Sequence, residues 1–387
     1  MPIKNRFAEL LPEITAWRRD FHEHPELLYE VHRTAGRVAG LLREFGCDEV
    51  VEGIGRTGVV GVIRGRTDSK GRVVGLRADM DALPINEQTG LDYASKTPGK
   101  MHACGHDGHT AMLLGAAKYL AETRNFDGTA IVIFQPAEEG GGGGKAMVDD
   151  GLVARWNIQE FYGMHNMPGI PVGQFAVRPG PVMAAADQFD ITVTGKGGHA
   201  AKPHECIDTT LVAAQIIVAL QSVVARNVDP LHHAVISVCV VSTDSTAHNV
   251  IPHVVRLKGT ARSLDDGVRD QIEAGIQRVS TGIATAMGAT AEVDYQRGYP
   301  VTVNDAQSAE YATEVARQIA GDVDPDFKPL MAGEDFSYML NERPGAYVFV
   351  GNGDTPMVHH PAYNFSDEAI PAGSSWYAGM IEARMPA

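Results

Sequence analysis

The sequence of 387 residues has few cysteines and a deficit of positive charge, and both shortages exclude classes of protein. Its four cysteines form no Cys-x-x-Cys pair. We therefore expect free thiols in a reducing compartment rather than a disulfide framework. The net charge is −15, with 33 basic against 48 acidic residues. Because phosphate backbones are bound by clustered basic side chains, nucleic acid is not an expected partner.

Long apolar segments are also missing. No run of 18 apolar residues occurs in the sequence, so neither a membrane span nor a membrane partner is expected. The N-terminal stretch carries charges throughout and lacks the apolar core of a secretory leader, which makes the cytoplasm the expected location. Apolar residues nevertheless make up 44 % of the chain, enough for a sizeable core. The length favours two domains.

Short apolar strands alternate with amphipathic helical windows along the first half of the chain. The periodicity predicts strands over 59–63, 73–77, 130–135 and 161–165, and helices over 34–45, 110–122 and 145–152. This alternation predicts an α/β fold with a mostly parallel sheet and helices on both faces. In such folds functional residues gather at the carboxyl ends of the strands.

A different pattern begins near residue 187. It predicts strands over 189–194, 234–241, 254–261 and 289–295, and helices over 208–225 and 265–287. These elements indicate an inserted α+β unit, with two helices covering one face of a sheet. The α/β pattern then resumes, with a helix over 307–319, a strand over 347–351 and a helix over 374–384. We expect a discontinuous domain of residues 1–182 and 298–387, and an inserted domain of residues 183–297.

The densest cluster of reactive side chains is His102-Ala-Cys-Gly-His-Asp-Gly-His. Cys104 and His106 are two residues apart in a loop that enters a predicted helix, so both can face one metal ion. Thiolate and imidazole are the usual ligands of zinc and similar ions. The alternative is a helix-capping loop with Asp107 as the N-cap and buried histidines.

Four more candidates follow predicted strands. Glu138 and Glu139 end a strongly apolar segment, where one carboxylate can bind a metal while the other acts as general base. The alternative is a solvated surface pair. His165 and His360 also follow apolar segments, although a single histidine of this kind is more often structural. A run of glycines at 140–144 suits a loop at a site.

A series of ordered motifs runs along nearly the whole chain. They are His22-Glu-His-Pro-Glu, Arg77-Ala-Asp-Met-Asp-Ala-Leu-Pro, the His102 motif above, Gln135-Pro-Ala-Glu-Glu-Gly, Gly163-Met-His-Asn, Gly195-Lys-Gly-Gly-His-Ala-Ala, His248-Asn-Val-Ile-Pro, Gly333-Glu-Asp-Phe-Ser and His359-His-Pro. In these motifs the chain resembles the M20 metallopeptidase family. The resemblance is to its aminoacylase/hippurate hydrolase-like amidohydrolase subfamily, which includes the plant auxin-conjugate hydrolases.

The resemblance implies a metal-dependent amidohydrolase with Glu138 as the general base. Its metal ligands would hold two divalent cations, zinc or manganese; they are Cys104, His106, Glu139, His165 and His360. The implied reaction cleaves the amide bond of an N-acyl amino acid, hippurate-like or N-acetylated, to a carboxylic acid and a free amino acid. A dipeptidase or carboxypeptidase of the same family is the alternative.

The resemblance also assigns the inserted domain. It implies a ferredoxin-like lid through which the chain forms a homodimer or a tetramer. His199 resembles the histidine that reaches the partner subunit's site and donates to the developing oxyanion. Asn249 and Arg262 resemble residues that hold the substrate's carboxylate, a bidentate task that suits a guanidinium. For Arg262 the alternative is an ordinary surface strand residue.

Two stretches depart from the pattern of the wider family. Asp79-Met80-Asp81 stands where the wider family has a His-x-Asp motif, which is the subfamily's own pattern and moves ligand duty to Cys104. Asp79 and Asp81 are then expected to support the site rather than bind metal. Lys202 and Cys206 stand where many relatives carry a neutral residue and glycine, which bears on the substrate rather than on the reaction.

Two functions of other classes compete with this interpretation. Cys104, close to His106 and His109, could be the nucleophile of a thiol hydrolase, whereas no Gly-x-Ser-x-Gly is present for a serine enzyme. A binding or scaffold protein that retained the fold is the second competitor. Such a protein would have no physical need for both Glu138 and a full ligand set.

Overall fold

The computed structural model describes residues 3–387, and the chain folds into two compact units. The first unit runs up to Gly180 and includes Val303–Lys328 and Asp335–Ala387. The second unit contains Pro181–Thr302 and Pro329–Glu334.

The first unit combines helices with one large sheet. Its helices are α1 (Ile3–Glu23), α2 (His32–Glu44), α3 (His106–Thr123), α4 (Gly143–Asp149), α5 (Leu152–Trp156), α8 (Ala306–Ala320), α9 (Ser337–Glu342) and α10 (Ile370–Arg384). Its strands are β1 (Glu49–Ile54), β2 (Gly58–Arg64), β3 (Val73–Asp79), β4 (Thr129–Gln135), β5 (Glu160–Pro168), β6 (Phe175–Ala176), β15 (Val323–Asp324) and β16 (Gly345–Gly353).

The strand order places four parallel strands side by side. The eight strands follow the order β1-β2-β4-β3-β5-β16-β6-β15, and the pairs β4–β3, β3–β5 and β5–β16 are parallel. The carboxyl ends of β4, β3, β5 and β16 therefore lie at one edge of the sheet. The predicted α/β class with a mostly parallel sheet is confirmed.

Both faces of the sheet are buried. Ala130, Val132 and Phe134 of β4 join a core formed with α1, α2, α3, α8 and α10, whereas the alternating Ile131 and Ile133 are buried outside that core. Successive side chains of a strand point to opposite faces, so this strand is covered on both. The continuous apolar sequence of β4 follows from that double burial.

The bounds of most predicted elements agree with the structure within a few residues, and the structure adds several short elements that were not predicted. The predicted helix over 145–152 is two helices, α4 and α5, separated by Gly151 at φ +87°. Strand β1 was not predicted. Helix α1 was not predicted either, although its buried side chains recur every three or four residues, as in a helix that packs on one side; they are Phe7, Leu10, Ile14, Trp17 and Phe21.

The second unit is built on a four-stranded antiparallel sheet and two long helices. In chain order these are β8 (Ala185–Thr194), α6 (Thr209–Ser222), β10 (Ala234–Thr243), β12 (Val254–Ser263), α7 (Asp266–Ala286) and β13 (Thr290–Tyr299). The sheet order is β10-β12-β8-β13. This β-α-β-β-α-β arrangement is the ferredoxin-like fold that was predicted for the insert.

Smaller elements complete the second unit and the passages between the two. A ribbon pairs β9 (Gly198–His199) with β11 (Val250–Ile251). The strands β7 (Gly180–Met183) and β14 (Thr302–Asn304) contain the points where the chain passes from one unit to the other.

Helix α6 is unusually apolar. Asp208 caps it by accepting the N–H groups of Thr210 and Leu211. Among the described residues, one segment, Thr209–Asn227, is long and apolar enough to cross a membrane, and 33 % of its apolar window is buried. The buried side chains of this segment pack into the core of the second unit; they are Val212, Ala213, Ile216, Leu220 and Val223.

Candidate metal centre

The candidate ligands of the first unit come from segments that follow its parallel strands or lie within them. Cys104 lies in the loop before α3, and His106 is the first residue of that helix. Glu138 and Glu139 follow β4, and His165 lies within β5. The N-cap of α3 is Gly105 at φ +86°, so the predicted N-cap at Asp107 is wrong. Asp107 instead accepts a hydrogen bond from Arg18 at 3.3 Å.

The ligand atoms converge in overlapping groups. Five groups of three described residues have every ligand atom within 4.8 Å of the others. Three of them are Cys104 with His106 and His165, Cys104 with Glu139 and His359, and His106 with Glu138 and Glu139; the other two are Asp79 with His106 and His109, and Glu138 with Glu334 and Asp335. Cys104, His106 and Glu139 each belong to two of the first three groups. Because the groups share members, the arrangement suits two neighbouring cations better than one.

Hydrogen bonds fix which ring nitrogen each histidine presents. The Nδ1 of His106 donates to the main-chain carbonyl of Asp81 at 2.8 Å, and the Nδ1 of His165 donates to the carbonyl of Asn166 at 2.6 Å. Both rings therefore direct the Nε2 lone pair inward, as metal-bound histidines do. The Nε2 of His165 lies 3.3 Å from the Sγ of Cys104.

One buried nitrogen indicates that a cation fits here. The Nε2 of His106 is buried, and no atom of the described residues forms a hydrogen bond with it. Buried polar atoms are almost always satisfied, so an unpartnered one requires an explanation. Thiolate, imidazole and carboxylate together form a donor set typical of zinc and other borderline cations. These residues fit a pair of divalent metal ions.

The structure corrects the prediction of His360 as the fifth ligand. The Nε2 of His359 lies 3.4 Å from the Oε1 of Glu139, and its main-chain N–H donates to the carbonyl of Ala103 at 2.7 Å. The exposed ring of His360 accepts the N–H of Ala362 at 3.0 Å instead. His359 has φ +68°, a left-handed conformation that spacing along the sequence does not reveal.

The electrostatics of the cluster depend on positive charge. Burial raises the pKa of the Cys104 thiol well above its ordinary value, and the nearby Glu139 and Glu138 raise it further. Burial lowers the pKa of His165 well below its ordinary value. A cation would stabilise the thiolate that these surroundings disfavour. Without one, Cys104 lacks the low pKa of a nucleophilic cysteine, which counts against a thiol hydrolase.

A supporting network lies behind the ligands. Asp79 accepts hydrogen bonds from His109 Nδ1 at 2.6 Å and from Arg77 at 2.7 Å. The Nε2 of His109 then accepts the N–H of Asn166 at 2.9 Å, and the side chain of Asn166 donates to the carbonyl of Cys104 at 2.7 Å.

This network occupies both ring nitrogens of His109, so His109 orients the ligands rather than binding a metal. The roles of Asn166 and Arg77 were missed by sequence reasoning. In the sequence, these two residues are marked only by their positions inside the motifs that begin at Gly163 and Arg77.

The candidate residues of the second unit are held less tightly. His199 is exposed, pairs with Val250 in the β9–β11 ribbon, and accepts the N–H of Ala201 on Nδ1 at 3.1 Å. Asn249 is also exposed, and its carbonyl accepts the N–H of Ala200 at 3.0 Å. The ribbon therefore places His199 and Asn249 near each other.

Arg262 is half-buried within β12 rather than lying free on a surface. Its Nη1 donates to the carbonyl of Ala261 at 2.9 Å and to that of Asp187 at 3.4 Å. Burial lowers the pKa of its guanidinium, against the opposing effect of Asp187. The guanidinium of Arg262 is thus partly anchored within the second unit.

Comparison with known proteins agrees with this geometry. The chain is 43 % identical over 373 residues to a hippurate hydrolase of Campylobacter jejuni, covering 96 % of both chains. It is 40 % identical over 363 residues to an N-acetylcysteine deacetylase of Bacillus subtilis, covering 93 % of this chain and 94 % of that one.

A solved structure and a family model extend the comparison. A Bacillus subtilis protein described as a dinuclear metal-binding peptidase of the M20 family superposes with a TM-score of 0.85 and 35 % identity, covering 98 % of this chain and 99 % of that one. Residues 75–383 match the model of peptidase family M20/M25/M40. The chain belongs to the M20/M25/M40 peptidase family.

Proposed function

We propose that this protein is a metal-dependent amidohydrolase that converts N-acyl amino acids to a carboxylic acid and a free amino acid. The observation that carries the proposal is the convergence of a thiol, imidazoles and carboxylates in overlapping groups whose ligand atoms lie within 4.8 Å of one another. The relatives named hippurate hydrolase and N-acetylcysteine deacetylase support the substrate class.

Five residues would hold two divalent cations, zinc or manganese: Cys104, His106, Glu139, His165 and His359. Bound there, the ions would polarise the scissile carbonyl and lower the pKa of a water molecule. Glu138 is 8 % exposed and is the carboxylate that we assign to proton transfer. It accepts a proton from the attacking water as the C–O bond forms and the carbonyl π electrons move onto the oxygen. It then passes that proton to the amine nitrogen, and the C–N bond breaks as the carbonyl forms again.

Three residues of the second unit are proposed to contact the substrate. His199 would donate a hydrogen bond to the carbonyl oxygen as negative charge develops there, a role for which its exposed ring is available. Asn249 and Arg262 would bind the carboxylate of the amino-acid half. The unit's unusual residues Lys202 and Cys206 lie close to His199 in sequence, where they can influence which substrates are accepted.

We further propose that the second unit mediates a homodimer, or a tetramer built from dimers. Strand β10 lies at the edge of its sheet. Val240 and Val241 on that strand are 45 % and 57 % exposed, and Leu211 and Val218 on α6 are 50 % and 69 % exposed. An apolar edge strand beside an apolar helix face is typical of a surface that another protein chain covers. A cytoplasmic location is proposed from the four free thiols.

A peptide substrate is the second candidate, since the superposed Bacillus subtilis protein is described as a peptidase. The two candidates differ only in the group on the acyl side of the scissile amide. A panel of hippurate, N-acetyl amino acids and dipeptides, assayed with added Zn²⁺ or Mn²⁺, separates them. Turnover confined to dipeptides would overturn the amidohydrolase proposal in favour of a peptidase.

Chelation and one substitution test the metal chemistry. Treatment with EDTA should abolish turnover, and Zn²⁺ or Mn²⁺ should restore it. Glu138→Gln should retain bound metal while kcat falls by roughly 100-fold to 10,000-fold, because only the proton acceptor is lost. Activity that resists EDTA but is destroyed by thiol alkylation would instead identify Cys104 as a nucleophile.

A further inference from the structure

The side chain of Asp81 lies against the turn that carries Glu138 and Glu139. Its Oδ1 accepts the main-chain N–H of Glu138 at 2.9 Å, and its Oδ2 accepts that of Glu139 at 3.2 Å. Asp81 is 1 % exposed, so water does not compete for these bonds. A buried carboxylate that accepts two successive N–H groups fixes the direction in which that stretch of backbone runs. It thereby sets the direction in which both glutamate side chains leave the chain.

The turn needs such support because its backbone is strained. Ala137 has φ +55°, a left-handed conformation in a residue with a Cβ. Such conformations are strained and persist where the surroundings impose them. Two bonds close the turn from within: Gly143 N–H donates to the carbonyl of Ala137 at 3.1 Å, and Gly140 N–H donates to that of Glu138 at 2.7 Å. Asp81 supplies bonds from a separate segment, just after β3.

The main chain of Asp81 does a different task from its side chain. Its carbonyl accepts the Nδ1–H of His106 at 2.8 Å, which orients that metal ligand. The carboxylate Oδ1 also lies 3.5 Å from that Nδ1, but the short hydrogen bond of 2.8 Å is to the carbonyl. A substitution that alters only the carboxylate therefore leaves the principal bond to His106 in place.

Building on the function proposed above, we propose that the carboxylate of Asp81 is a positioning group that aims Glu138 at the attacking water. In this proposal Asp81 contacts neither the substrate nor the reacting atoms. It acts through the two amides, and its loss should affect the chemical step more than substrate binding or metal content.

Asp81→Asn tests this proposal, because the amide keeps the shape but replaces one acceptor oxygen with a donor. We expect kcat to fall by about 10–100-fold, the usual cost of losing a group that orients a catalytic one, with KM changed by less than about threefold. Metal per chain, measured by elemental analysis, should equal that of the wild type. A loss of kcat that excess metal restores would overturn the proposal, and so would a kcat within about threefold of the wild type.

Glu26→Gln is the matched control. Glu26 also accepts two successive main-chain N–H groups, those of Arg33 at 3.1 Å and Thr34 at 2.8 Å, at the start of α2. Its substitution removes the same kind of interaction from the same unit, so kcat should stay within about twofold of the wild type. An equal loss of kcat in both variants would show a general structural effect and would overturn the specific role of Asp81.

Amide hydrogen exchange at Glu138 and Glu139, resolved by NMR, provides a readout that needs no substrate. Both amides should be protected in the wild type and in Glu26→Gln, and should exchange faster in Asp81→Asn. If the variant does not fold, the wild type alone decides, because fast exchange at these two amides in the folded enzyme would overturn the proposal. If the wild type hydrolyses nothing in the panel, the proposed function is wrong. The exchange rates of the two amides would still show whether their hydrogen bonds to Asp81 form.

Discussion

The two units hold their candidate residues in opposite ways. In the first unit, His106 is fully buried and its Nδ1 is fixed by a main-chain carbonyl. In the second unit, His199 and Asn249 are exposed on a ribbon of two-residue strands. Buried, hydrogen-bonded ligands suit a metal centre that must be formed before substrate arrives. Exposed polar side chains on a small ribbon suit groups that engage a ligand only when it binds.

The largest effect expected in the second unit is at His199. His199→Ala should lower kcat by about 100–1000-fold, the cost of removing one donor to a developing oxyanion, and should leave metal content unchanged. Steady-state kinetics with metal analysis measures both quantities. His204→Ala is the control, since His204 is equally exposed nearby and pairs only loosely with Glu205 at 3.8 Å. If both variants keep wild-type kcat, the second unit takes no part in catalysis and the contrast between the units is wrong.

A smaller effect is expected from the neighbouring histidines of the first unit. His359→Ala should weaken metal binding by at least about 100-fold, the upper end of what losing a group behind a ligand costs, because His359 is itself proposed as a ligand beside Glu139. His360→Ala should bind metal like the wild type, because the His360 ring accepts only a local N–H. Competitive titration with a chelating dye measures both affinities. The reverse order of effects would restore His360 as the ligand.

These residues also show how far the sequence determines the site. Cys104 and His106 could be proposed because they stand two residues apart before a predicted helix, and Glu139 and His165 because each comes at or near the end of an apolar segment, which is a local property. That they form one ligand set was implied by the family resemblance. The choice between His359 and His360 depends on one φ angle, which spacing does not encode. The network of Asp79, His109 and Asn166 joins residues 30 and 57 positions apart, a contact that only the folded sheet creates.

The same reasoning applies to the fold. The strands of the parallel sheet could be located because double burial makes them continuously apolar. The α+β character of the second unit could be predicted from the order of its strands and amphipathic helices, whereas its ferredoxin-like arrangement was implied by the family resemblance. Strand β1 has a mostly half-exposed, mixed pattern, and so carried too little periodicity to be recognised.

The smallest predicted effect concerns stability and contrasts a buried ion pair of the first unit with an exposed one of the second. Burial alone would raise the pKa of Glu160, but hydrogen bonds from Arg384, Tyr162 and Arg72 lower it to about 2. A folded pKa below the ordinary value of 4.5 means that the carboxylate stabilises the fold above pH 4.5 and loses that contribution as the pH falls toward 2. Glu160→Gln should therefore lower the free energy of unfolding at pH 7 by roughly 1.5–3 kcal/mol.

The difference in free energy of unfolding between Glu160→Gln and the wild type should narrow as the pH falls through the acidic range. Protonation of Glu160 in the wild type removes the same negative charge that the substitution has already removed. Asp270→Asn is the matched change in the second unit, where the side chain is 65 % exposed and pairs with Arg297 at 2.6 Å. Because exposed pairs contribute little, that variant should differ from the wild type by less than about 0.5 kcal/mol. Denaturant unfolding at a series of pH values measures both differences. If the loss of unfolding free energy in Glu160→Gln stays constant with pH, Glu160 stabilises the fold through packing rather than through its charge.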